Sequence, residues 1–76
     1  MRPIFDPAPA VLWTLMKNGV EISCDVRFVP SGIEARVKRN GEVVYTRVFA
    51  RGAETLEWVE EERREHLEEG WVIPEA

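Results

Sequence analysis

Two Asn-Gly dipeptides, Asn18-Gly19 and Asn40-Gly41, punctuate the first two thirds of this chain, each between segments of alternating apolar and polar residues. Asn and Gly are the residues that tolerate positive φ, which both central positions of a type I′ turn require, so each pair predicts a tight two-residue hairpin. A turn of known length also sets the pairing beyond it. Around the first turn Lys17 faces Val20, Leu15 faces Ile22, Trp13 faces Cys24 and Val11 faces Val26, which gathers apolar side chains on one face; a one-residue slip would scatter them. Around the second, Val37 faces Val44, Ala35 faces Thr46 and Ile33 faces Val48, with Glu34 opposite Arg47 and Arg36 opposite Tyr45 on the reverse face.

Pro30-Ser31-Gly32 is turn chemistry. A connection from Val29 to Gly32 pairs Phe28 with Ile33, Val26 with Ala35 and Cys24 with Val37, so every inward residue stays inward. The expected sheet is therefore a four-stranded antiparallel meander in the order 1-2-3-4, with strands near 11–17, 20–29, 33–39 and 42–49. From 53 to 69 the apolar period becomes helical, with Leu56, Val59 and Leu67 on one stripe and Gly70 as a natural stop. One apolar helix stripe and one apolar sheet face leave water together by stacking, which makes the fold class α+β with two layers and the C-terminal helix packed on one face. Trp71, Val72 and Ile73 close one end. Residues 1–10, with Pro3, Pro7 and Pro9, read as an extended arm, and 11–76 as a single domain.

At 76 residues the chain is near the size at which burial only just offsets the entropy of folding, so self-association would aid it. Cys24 is its one cysteine, which excludes an internal disulfide and a cysteine-based zinc site and suits a reducing, cytoplasmic setting. No stretch reaches the roughly 20 apolar residues of a membrane helix, so no membrane partner is expected. Charge is unevenly spread. Residues 25–51 hold six basic side chains against three acidic, whereas residues 52–76 hold two against nine, which makes the molecule electrostatically two-sided.

The sheet face left uncovered is the first place to look for function. It is expected to carry Arg27, Arg36, Lys38, Val43, Tyr45, Arg47 and Phe49. Its apolar members, with Met16 and Val29, form the kind of patch that buries against a second copy, and homodimerisation through this face, or contact with another protein, is the leading reading. The same cations interleaved with aromatic rings could hold a nucleic-acid strand by phosphate pairing and base stacking, which is the second reading.

Chemistry has little foothold. The sequence has no GxSxG elbow, Walker loop, HExxH motif or glycine-rich phosphate cradle, and its carboxylates crowd an exposed helix; no catalytic residue, cofactor or metal is expected. Glu62, His66 and Glu69 have helical spacing for a metal, but without a second histidine they read as a helix edge. Cys24, inward-facing, is a small hydrophobe rather than a nucleophile. Trp58 leaves the apolar stripe, either as an interface anchor or folded over the sheet margin, and the acidic helix side is a solubilising face with Glu60–Arg64 and Arg64–Glu68 pairs.

Leu12-Trp13 through Asn18-Gly19, Arg39-Asn40-Gly41-Glu42, Arg47-Val48-Phe49, Trp58 with Glu61-Glu62-Arg63, and Gly70-Trp71 together resemble small bacterial proteins that have no assigned activity. That resemblance implies the fold and no chemistry. In topology alone, sheet plus helix is similar to DNA-binding domains of plant transcription factors and phage-type integrases, and no site residue transfers from them.

Overall fold

A computed structural model describes residues 9–74. Its elements run β1 (Ala10–Lys17), β2 (Val20–Val29), β3 (Gly32–Arg39), β4 (Glu42–Phe49) and α1 (Gly52–Glu68). The strands form one antiparallel sheet in the order β1-β2-β3-β4, and α1 packs across β1, β3 and β4. The expected arm lies outside the described residues except for Pro9 and Ala10, and Ala10 already belongs to β1.

Both hairpin turns follow from their dipeptides. Asn18 and Gly19 have φ of 50° and 78°, Asn40 and Gly41 of 49° and 84°, as a type I′ turn demands. Asn40 also ties its turn to β2: its Oδ1 accepts from the Glu21 amide at 3.0 Å and its own amide donates to the Glu21 carbonyl at 2.8 Å.

Register near the turns is as the sequence predicts, with Lys17 opposite Val20, Leu15 opposite Ile22, Trp13 opposite Cys24 and Val26 opposite Ala35. Two β-bulges change it farther out. One extra residue at Leu12 puts Val11 opposite Asp25 instead of Val26, so Val11 turns away from the core. Another at Val44 pairs Lys38 with Val43 but Val37 with Tyr45, Ala35 with Arg47 and Ile33 with Phe49. Because strand side chains alternate, that single insertion transposes the faces of β4 from Tyr45 onward.

The core between the layers consists of Trp13, Leu15, Ile22, Cys24, Ala35, Val37, Phe49 and Val59, with Val26, Trp58, Leu67 and Trp71 packed around it. The Trp13 indole donates to the Val59 carbonyl at 3.0 Å and so pins β1 to α1. The buried helix positions are Thr55 and Val59, flanked by half-buried Trp58, Glu62, His66 and Leu67. Leu56, expected on that stripe, is instead 58% exposed, and Trp58 packs against Phe49, which the bulge has turned inward.

The helix ends in a Schellman arrangement. Gly70, at φ 96°, follows the last turn; its amide donates to the Leu67 carbonyl at 3.2 Å and the Trp71 amide to the His66 carbonyl at 3.1 Å. Lys17 Nζ satisfies a further end carbonyl, that of Glu69, at 2.7 Å. The chain then returns along β1, where Met16 and Val72 exchange backbone hydrogen bonds of 2.8 and 2.9 Å. On the opposite side of the sheet no described strand lies beyond β4, whose residues Glu42 to Val48 are all exposed.

Candidate functional site

The seven residues singled out from the sequence divide between the two faces. Arg27, Arg36 and Lys38 project from the uncovered face as expected, and so does Val43, the partner of Lys38. Tyr45, Arg47 and Phe49 do not. The bulge at Val44 turns them to the helix side, where the Tyr45 hydroxyl donates to Glu62 Oε2 at 2.6 Å and Phe49 is buried against Trp58 with ring centroids 5.8 Å apart. Arg47 lies over the Phe49 ring at 5.1 Å. The cations and the aromatic rings thus occupy opposite sides of the sheet, which removes the interleaving that base stacking beside phosphate contacts requires.

The cations that remain on the open face have protein partners. Asp25 is only 2% exposed; it receives Arg36 Nε and Nη2 on its two oxygens at 2.8 and 3.1 Å and Lys38 Nζ at 3.1 Å. Burial pushes its carboxyl group upward, but hydrogen bonds from Arg36 and Lys38, together with their positive charges, outweigh that and hold it below the ordinary carboxylate range. Arg27 donates to Glu34 at 2.6 Å. These pairs replace the expected contacts of Glu34 with Arg47 and of Arg36 with the Tyr45 ring, because the shifted register removes both neighbours. The centre of the open face is therefore a salt-bridge network, and exposed Val11, Val43 and Val48 sit at its margins on the two outer strands.

The helix side near β4 has a different character. A shallow open cleft of about 270 Å³ lies between β4 and α1, lined by Arg47, Phe49, Glu54, Glu57, Trp58 and Glu61. Phe49 and Trp58 are its aromatic components, and Tyr45 meets Trp58 edge-on at 6.1 Å. Of the two expectations for Trp58, folding over the sheet margin is the observed one. Burial, then the hydrogen bond to Glu62 and its negative charge, raise the Tyr45 hydroxyl above its ordinary value, so it stays a proton donor. The signal for this cleft was present in the sequence as Phe49, Trp58 and the glutamates one helical turn apart, but the strand face on which Phe49 lies was not.

The remaining candidates pack into the fold. His66 Nδ1 sits 2.6 Å from the Glu62 carbonyl, and the ring packs between Trp13 and Trp71 at 5.6 and 5.9 Å; among the described residues no three His, Cys, Asp or Glu side chains gather as a metal site would need. Cys24 is fully buried, and burial, with the charges of Asp25 and Glu62 adding to it, pushes its thiol up to about 12. On the helix surface the arginines bond one turn back, Arg63 to Glu60 at 3.8 Å and Arg64 to Glu61 at 3.6 Å, rather than at the expected spacing of four. Among the described residues no helix is long and apolar enough to cross a membrane. No protein-family model, curated protein or solved structure matches the chain.

Proposed function

We propose that this protein is a small, non-enzymatic interaction module that engages an extended segment of another protein along the outer edge of β4. One observation carries the reading: β4 is an eight-residue edge strand exposed from Glu42 to Val48, with Val43, Val44, Tyr45 and Val48 among its exposed side chains. Edge strands present unpaired backbone groups and are usually blunted by proline, lysine, a bulge or a covering loop. β4 contains neither proline nor lysine, and its bulge at Val44 leaves Tyr45 to Phe49 regularly paired with β3. An incoming strand gains backbone hydrogen bonds along that stretch and contacts its side chains on both faces.

Self-association through the open face has less to recommend it, since Tyr45 and Phe49 are turned away from that face and its centre is the Asp25 network. Nucleic acid is disfavoured for the same reason, because Arg27, Arg36 and Lys38 already answer Glu34 and Asp25. A lone buried thiol is consistent with a cytoplasmic setting.

The test is to select octapeptides from a displayed random library on the whole protein and to follow backbone amide exchange with each selected peptide bound. The outward amides of β4 are expected to slow while those of β1 and β2 keep their rates. Failure to select any peptide, or protection that appears on the open face instead, would overturn the proposal.

A further inference from the structure

Resting on that reading, we infer that the partner strand is basic and that the β4–α1 cleft receives one of its arginine or lysine side chains. The cleft combines two aromatic rings, Phe49 and Trp58, with three carboxylates, Glu54, Glu57 and Glu61, against one cation, Arg47. Aromatic faces attract cations through the ring quadrupole, and carboxylates at the rim set the sign of the occupant. Arg47 demonstrates the fit from within, since its guanidinium carbon lies 5.1 Å from the Phe49 ring centroid. One guanidinium against three carboxylates leaves the cleft short of positive charge.

Strand geometry delivers a side chain to this place. A segment paired with β4 sends alternate residues to the helix side, each standing about 5 Å from its cross-strand neighbour. On that side the neighbours are Tyr45, Arg47 and Phe49. Arg47 already covers the Phe49 ring, so the incoming cation is placed on the far side of the cleft, beside Trp58 and the glutamates.

The same charges discriminate between partners. A second copy pairing β4 with β4 would bring its own α1 to the same side of the joined sheet, and each helix carries a row of glutamates on this flank. Like charges across that seam oppose the homodimer. Phosphate backbones are repelled in the same way. A different chain with alternating basic and β-branched residues is the occupant whose charge is complementary.

The experiment titrates the whole protein with three octapeptides of one alternating Thr/Val framework that carry Arg, Gln or Glu at the helix-facing positions, read by tryptophan fluorescence and calorimetry. The Arg peptide is expected to bind about threefold to fivefold tighter than the Gln peptide, the order of a cation–aromatic contact at a solvent-open site. That margin should shrink in high salt and in the Glu57→Gln/Glu61→Gln variant, whose surface substitutions leave the core intact. Equal binding of the Arg and Gln peptides would overturn the cation cleft while leaving the β4 edge as a docking strand. If none of the three binds, both readings fall, and sedimentation showing a dimer that excludes the peptides would assign the edge to a second copy.

Discussion

Removing the Asp25 carboxylate would leave Arg36 and Lys38 side by side above the sheet with their common acceptor gone. Asp25→Asn keeps the side-chain shape, and the loss of charge-assisted bonds should cost about 2–3 kcal/mol in urea unfolding. The pH dependence has a definite sign. Asp25 has its folded pKa below the unfolded one, so the stability it lends is present above the ordinary carboxylate pKa of about 4 and is lost as pH falls through the lower folded value. Wild-type protein should therefore lose more stability than Asp25→Asn as the pH drops from 5 toward 2, and parallel curves for the two would show that the network contributes no stability. Nothing in the residues next to Asp25 in the sequence marks it for burial. Its burial comes from Arg36 and Lys38 lying across it, a product of cross-strand neighbours rather than of anything local to Asp25.

Strands, turns and helix were legible in the sequence to within a residue of their ends, because Asn18-Gly19, Asn40-Gly41, Pro30-Ser31-Gly32 and Gly70 are backbone requirements written as residue types. The two bulges were not. Val43, Val44 and Tyr45 are all suited to either side of a strand, so sliding them by one residue costs little in hydrophobic pattern, and the cost is decided by whether Phe49 can reach Trp58. The candidate site divided for that reason: positions before the bulge kept their face and positions after it lost it. A second backbone requirement lies at the start of β3. Gly32 has φ of 142°, and a Cβ built there would overlap the carbonyl oxygen of Phe49. Gly32→Ala should then destabilise by more than about 1 kcal/mol, the reverse of the usual gain from replacing glycine. Thermal melts would show it, and an unchanged Tm would mean that the β3–β4 end relaxes freely.

At the scale of the whole molecule, the two layers share a core to which eight of the described residues contribute buried apolar side chains, with Leu15 and Val37 at its centre. A domain of this length has a total stability of roughly 4–11 kcal/mol. Leu15→Ala should remove about 3 kcal/mol of it by leaving a cavity under α1, a large share of the whole. Circular dichroism is expected to show a protein with a much lower urea midpoint and little remaining native baseline; a midpoint close to wild type would indicate that sheet and helix collapse onto the vacated volume.

The backbone bonds between Met16 and Val72 give the molecule a direction. Sheets with two available edges propagate, each added strand offering a new one, and proteins built that way grow into filaments. Here the chain's own tail pairs with β1 at Met16, and β1 is interrupted again by the bulge at Leu12. Among the described residues the β1 edge is therefore partly covered at one end and bulged at the other, which makes it a poorer template than β4 from Tyr45 to Phe49. Strands should then add to one side of the molecule in preference to the other, and its complexes are expected to be pairs, which sedimentation at rising concentration would check.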